Sequence, residues 1–252
     1  FKQKTAYEML RSLVGSEMCI RDRDEALFER ARMGGQITVR VWVNARAVVI
    51  GRSQAIAAEV DLEAADRLKI PVLRRISGGG AVYHHPGNLN LSLCLSDAGR
   101  LGGVNQAFHQ IGKAISDGLS SVGIRVKSAG NRLIVGGRKV GGAAQARRGR
   151  ALLYHTTLIV RPDSIPMERL LRALRPGYRT PAVPSHPFPT TSLSEIIGEE
   201  IPLEQVGVAA AVGIARTCGS EPRDGVVTQD EIRWAEELVR EKYGTERWNR
   251  QR

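Results

Sequence analysis

Cysteine is scarce in this chain: Cys19, Cys94 and Cys218 are the whole set in 252 residues. They are odd in number, far apart and never spaced Cys-x-x-Cys. That pattern argues against a disulfide framework and against a zinc site, and it fits a reducing cytoplasm. Long apolar runs are missing as well. No stretch reaches the roughly eighteen apolar residues of a membrane span, and the N-terminus carries no signal-peptide core. Aromatics make up only 5% of the chain, and no nucleic-acid-binding motif accompanies them. Neither G-x-x-x-x-G-K-[ST] nor G-x-G-x-x-G occurs, so a bound nucleotide needs another scheme.

What is present is globular. Hydrophobic residues make up 42% and charged residues 25%, ordinary values for a packed domain. The net charge is +11 with a pI near 10.1, which favours polyanions or an acidic protein partner. The basic residues are spread along the chain, so an arginine-rich solvated surface explains the charge without nucleic acid. The opening "FKQKTAYEMLRSLVGSEMCIRDR" has no clear period and looks like a translated adaptor read. Residues 1–23 are therefore set apart as a non-native leader. They hold five basic and three acidic residues, so the remainder keeps +9.

Patterning predicts the elements. "DEALFERARMGG" (24–35) reads as the end of a glycine-stopped helix. Strands are expected at 37–43, 47–51 and 72–76, with a helix at 61–69 capped by Asp61. In "NLNLSLCL" (88–95), Leu89, Leu91, Leu93 and Leu95 share one face, and Asn88, Asn90, Ser92 and Cys94 share the other. A helix is expected at 104–123, with Phe108, Ile111, Ile115 and Leu119 on its apolar stripe. Gly136-Gly137 predicts a two-residue hairpin turn, followed by a second turn and another strand. Segment 181–191 is a proline-rich loop, and helices are expected near 203–216 and 229–242. Long strands with flanking helices predict a mixed-sheet α/β (α+β) domain.

Two stretches carry chemistry. In "RRISGGGAVYHHPGN" (74–88), glycines bring bare backbone close to a ligand, and their amides make an anion-binding concavity. Arg74 and Arg75 add guanidinium donors suited to phosphate or carboxylate. Lys139 lies on the return strand of the hairpin with Gly141-Gly142 following, placed to stabilise charge on an acyl-phosphate. A metal site is not expected: His84 and His85 point to opposite sides of a strand, and no cysteine or carboxylate completes a set.

"RRISGGGAVYHHPGNLNLS" resembles the signature loop of the lipoate–protein ligase A family. "NRLIVGGRKVGGAAQARRGRALLYHTTLIV" is similar to the family's second signature, and "KYGTERWN" to its closing motif. The resemblance implies the biotin/lipoate ligase-like catalytic fold over 24–252, a central mixed and largely antiparallel sheet flanked by helices, without a C-terminal accessory domain. It implies ATP with magnesium, and lipoate or octanoate as the acid. The acceptor would be a lysine of an acidic lipoyl domain of a 2-oxoacid dehydrogenase, or glycine-cleavage H protein. A separate accessory subunit would be a further partner. Carried over by position, Arg75 and the backbone of Gly80, Ala81, Val82 and Tyr83 would contact the acyl-adenylate. Lys139 would be catalytic, bridging carboxylate and α-phosphate; Gly78, Gly79 and Asn88 would shape the loop; His155 would sit near the adenylate.

The sequence departs from the family pattern at three places. His85 and Arg132 stand where the family has aspartates, and Thr156 where it has glycine. One rival reading is an octanoyl or lipoyl transferase of the same fold, which forms a thioester on a cysteine. The chain has no cysteine from 96 to 217, where that nucleophile would lie. The other rival is a degenerate domain that binds acyl ligands, or a basic nucleic-acid binder.

Overall fold

The computed structural model describes residues 21–219 and 225–251. Of the expected leader, residues 1–20 lie outside the described residues, and Arg21–Arg23 belong to the first turn of helix α1 (Arg21–Arg32). Asp22 and Asp24 in that turn, and Arg30 and Arg32 in the last, complement the helix dipole. Strands β1 (Thr38–Val43) and β2 (Ala47–Ile50) follow, then short helices α2 (Ile56–Glu59) and α3 (Leu62–Arg67). The Asp61 side chain caps α3 by accepting from the Ala64 amide, as expected. Strands β3 (Val72–Arg74), β4 (Val82–His84) and β5 (Asn88–Leu95) flank the glycine loop. The strand expected over 72–76 ends at Arg74, because Arg75 and Ile76 already enter that loop.

Helix α4 (Val104–Ser120) leads to β6 (Lys127–Ala129), β7 (Arg132–Val135), β8 (Arg138–Arg148) and β9 (Ala151–Ile159). The β7–β8 turn uses Gly136 and Gly137 at φ 56° and 75°, the left-handed pair a type I′ hairpin requires. Helices α5 (Leu193–Ile197), α6 (Leu203–Thr217) and α7 (Gln229–Leu238) follow. The helix expected over 229–242 changes to a π turn at Val239–Tyr243 before α8 (Glu246–Asn249).

Among the described residues the strands form two sheets, ordered β1-β5-β9-β8-β7-β6 and β3-β2-β4. The larger is antiparallel at every pairing. The mixed character sits in the smaller, where β2 runs parallel to β3 and antiparallel to β4. The leucine face of β5 packs with Ile111, Ile115 and Leu119 of α4 and Val206, Ala210 and Ile214 of α6. Each of these leucine, isoleucine and valine side chains contributes about 1.5–3 kcal/mol on burial. The polar face of β5 is buried too, turned toward α1 and the cavity described next. No helix among the described residues is long and apolar enough to cross a membrane.

Candidate active site

A cavity of about 310 Å³ opens where α1, the two sheets, the glycine loop and the proline-rich loop converge. That volume is in the range of small-molecule sites. Trp42, Val49, Leu73, Ile76 and Leu153 give it an apolar wall. Its charged lining is unbalanced: Arg75, Arg132 and Lys139 on one side of the ledger, Asp24 alone on the other.

Asp24 is already neutralised. Arg40 Nη1 donates to its Oδ1 at 2.8 Å and the Ser92 hydroxyl to its Oδ2 at 2.7 Å. Burial alone would raise this carboxyl; His155 and the Arg40 guanidinium bring it below the usual carboxylate range. His155 Nδ1 lies 3.8 Å from Asp24 Oδ2, and its Nε2 is 2.5 Å from Ser77 Oγ. The imidazole is thus fixed between helix α1 and the glycine loop.

Arg75 is buried without a carboxylate. Its Nη1 donates to Val49 O at 3.1 Å, its Nη2 to Gly78 O and Gly80 O at 2.7 Å each, and its Nε to Ser77 Oγ at 3.1 Å. One guanidinium therefore folds the glycine loop around itself. Burial pulls its pKa down to about 10, so it stays charged at neutral pH. Gly79 takes φ 89° in this loop, and a Cβ on Gly51 would lie 2.1 Å from Gly79 O. Two strands of backbone touch there, and only glycine permits it.

Arg74 turns the other way. Its Nη1 donates to the carbonyls of Gly51, Arg52 and Gln54, and its Nη2 to Gln251 O at 2.5 Å. The expectation that both arginines serve a ligand is corrected: neighbouring residues on extended backbone face opposite sides. The same alternation separates the histidines. His84 lines the cavity, whereas His85 packs against Tyr83 with ring centroids 5.5 Å apart.

Lys139 lines the same cavity. Its backbone amide donates to Pro189 O at 2.7 Å and its carbonyl accepts from Thr191 N at 3.0 Å, so the proline-rich loop pins it on the side away from β7, whose Ile134 pairs with its other edge. A Cβ on Gly142 would meet Lys139 Cε and Nζ at 2.9 Å, so the lysine lies across the bare Gly142. Burial, with Arg132 and Arg75 nearby, lowers its pKa below the usual lysine range.

The expected residues divide into two groups. Arg75, Gly79, Gly80, Ala81, Val82, Lys139 and His155 share the cavity. Tyr83 and Asn88 instead line a smaller neighbouring cavity of about 90 Å³, which meets the first at Ala81, Val82 and Lys139. Tyr83 donates to Asp163 Oδ2 at 2.6 Å, and Asn88 Nδ2 donates to Tyr83 O at 2.9 Å. Gly78 contributes its carbonyl to Arg75.

Sequence reading did not single out Asp24, Asn44 or Ser185. Asp24 follows directly on the segment set apart as leader. Asn44 Nδ2 pairs with His84 Nδ1 at 2.7 Å, while its buried Oδ1 has no hydrogen-bond partner among the described residues. Ser185 straps the proline-rich loop over the site: its Oγ accepts from Ala81 N at 2.8 Å and Gln54 Nε2 at 3.0 Å, and donates to Glu59 Oε2 at 2.6 Å. Cys94 is absent from the cavity lining, and burial pushes its thiol well above the usual range.

Comparison with known proteins follows from this geometry. Residues 21–214 match the family described as Lipoyl protein ligase A/B catalytic domain. A protein of Aeropyrum pernix whose name marks it as a candidate lipoate-protein ligase A is 34% identical, over 87% of this chain and 83% of its own. Octanoyltransferase LipM of Symbiobacterium thermophilum is 29% identical, over 82% and 83% respectively. Among solved structures, a bi-partite lipoate protein ligase from Thermoplasma acidophilum, described together with its E2 lipoyl domain, superposes with a TM-score of 0.81 at 27% identity, covering 94% of both chains. A lipoate-protein ligase A bound with ATP gives 0.80 at 26% identity, covering 92% of this chain and 93% of that one.

Proposed function

Since the chain belongs to the lipoyl protein ligase A/B catalytic domain family, we propose that it is an ATP-dependent lipoate–protein ligase. One observation carries this reading beyond the family: three cations line a cavity whose single carboxylate, among the described residues, is already paired with Arg40. Such a cavity is built for an anionic ligand, and an acyl-adenylate forming from ATP and a carboxylate is one. The similar structure bound with ATP supports the nucleotide.

In the first step a carboxylate oxygen of lipoate or octanoate bonds to the α-phosphorus of ATP. The bond from that phosphorus to the bridging oxygen breaks, and pyrophosphate leaves with the electron pair. The Lys139 ammonium stabilises the charge that builds on the α-phosphate, in a partly dry setting where it acts strongly. Arg75 acts by holding Gly78–Gly80 in a shape that turns loop backbone toward the ligand, and Ala81 and Val82 continue that wall. Tyr83 and Asn88 hold the turn behind it. In the second step a neutral lysine of the acceptor attacks the acyl carbon, AMP leaves, and the amine loses a proton. His155, held by Ser77 and Asp24, lies beside the reacting region. A lipoyl domain is the acceptor class this reading favours, with a separate accessory chain as a further partner. The bi-partite Thermoplasma ligase with its E2 lipoyl domain supports both.

Magnesium would come with ATP as part of the substrate. The residues themselves do not fit a resident metal: no group of three histidine, cysteine or acidic side chains suited to an ion occurs among the described residues. The transferase reading has a relative in its favour, but it needs a thiolate, and no cysteine lines the cavity among the described residues.

The test is lipoate-dependent exchange of labelled pyrophosphate into ATP. The purified chain should catalyse it, and Lys139→Ala should lower it by about 10²–10³, the usual loss for one transition-state donor. Full activity in that variant would remove Lys139 from the chemistry. Transfer from an octanoyl thioester without ATP would favour the transferase.

A further inference from the structure

Arg132 opens β7 directly opposite Gly142 of β8. Gly142 is the bare residue over which the Lys139 ammonium lies. The guanidinium and the ammonium are therefore neighbours on one wall of the cavity. Phe188, from the proline-rich loop, stacks on the guanidinium at 4.9 Å from its ring centroid. Stacking occupies a face of that planar group and leaves its N–H edge for a ligand. Among the described residues Arg132 has no ion pair or side-chain hydrogen bond, and neither does Lys139. Two like charges side by side, with Arg75 as a third, oppose the fold unless an anion joins them. Lys139 registers this repulsion, since Arg132 and Arg75 both add to the lowering that burial causes.

A carboxylate at position 132 would invite a divalent ion to bridge the phosphates. An arginine there does the opposite. We propose that Arg132 is a phosphate-binding residue which, beside Lys139, holds the pyrophosphate portion of the nucleotide directly, without a protein-bound metal. The inference rests on the ligase reading for the source of the phosphates. In the first step the oxygen that bridged the α- and β-phosphorus gains the electron pair of the broken bond and becomes a terminal oxygen of pyrophosphate, and the guanidinium stabilises that added charge.

The experiment is calorimetric titration of inorganic pyrophosphate into the full chain, with EDTA and then with magnesium. The wild type should bind in EDTA. Arg132→Gln should weaken binding by about tenfold or more, the scale of one charge-assisted hydrogen bond, and Arg132→Lys should recover part of it. The unfolding midpoints of Arg132→Gln and Arg132→Lys should not lie below that of the wild type, since glutamine removes one of the like charges and lysine keeps it. Equal affinity in the wild type and Arg132→Gln overturns the proposal, as does wild-type binding seen only with magnesium. Lipoate-dependent exchange by the wild type separates the two readings. Exchange together with Arg132-independent binding keeps the ligase and discards this residue. Arg132-dependent binding without exchange keeps the phosphate site and discards the ligase.

Discussion

His84 is held neutral by the bonds around it. Asn44 Nδ2 donates to its Nδ1 at 2.7 Å, and its Nε2–H faces Thr157 Oγ1 at 3.1 Å. The Thr157 hydroxyl in turn donates to Asn90 Oδ1 at 2.8 Å. A proton on Nδ1 would turn an acceptor into a donor aimed at the Asn44 amide. Burial, with Arg75 nearby, accordingly pulls the pKa from 6.5 to about 3. Above pH 6.5 the residue is neutral in both folded and unfolded chains, and its contribution is intact. Between 6.5 and 3 only the unfolded chain takes up the proton, so stability falls, by up to about 1.4 kcal/mol per pH unit. Urea denaturation at pH 7.5, 6 and 5 should show this slope, and His84→Gln should flatten it. An unchanged slope would assign the loss to another group. At this scale the sequence was half legible. Residue types around "SGGG" pointed to a ligand loop, and Arg75, Gly79 and Gly80 do line the cavity; period-2 alternation separates His84 from His85. The same rule separates Arg74 from Arg75, but charge alone made both look like ligand donors.

Between the scale of residues and that of the chain, Arg74 ties elements together. It joins the end of β3 to the loop after β2 and to the C-terminal segment. Trp248 Nε1 donates back to Arg74 O at 2.9 Å, and Arg74 N donates to Asn249 Oδ1 at 3.1 Å. Glu25 of α1 secures the same segment, accepting from Lys242 Nζ and Tyr243 OH at 2.5 Å each. Tyr243 also lines the cavity, so this packing reaches the site. Arg74→Met would leave several buried carbonyls without donors. A loss of about 3 kcal/mol is expected from the cost of unpaired buried polar groups, read from the denaturation midpoint. The Lys139→Ala variant should sit near the wild type in the same assay, because its ammonium has no ion pair among the described residues. A silent Arg74→Met would mean that the carbonyls find water. The longer strands and helices were legible because each is set by local period and caps, whereas the short β4, β6, α2, α5 and α8 were not foreseen. The proline-rich loop was legible only as a loop. Its role depends on Ser185 meeting Ala81, Gln54 and Glu59, contacts more than a hundred residues away that no window of sequence contains.

For the whole molecule, the cavity belongs to no single segment. Asp24, Trp42, Arg75, Lys139, His155 and Ser185 reach it from six parts of the chain. The fold became legible through a family resemblance, and the three-cation wall only through packing. The net charge of +11 acts at this scale too: under the proposed ligase function it would draw an acidic acceptor toward the surface without choosing its docking pose. Transfer to such an acceptor and the exchange reaction should therefore respond differently to salt. Exchange involves only small ligands inside the cavity, where screening is weak. Encounter with the acceptor happens through solvent, where the Debye length shrinks from about 10 Å at 0.1 M to about 3 Å at 1 M. Raising salt from about 0.05 to 0.5 M should lower kcat/KM for an acidic lipoyl domain by roughly tenfold or more, mostly through KM, while exchange changes much less. Using one protein preparation for both assays removes any effect of salt on stability. Parallel losses in the two assays would place the salt effect in the cavity and take the surface charge out of acceptor recognition.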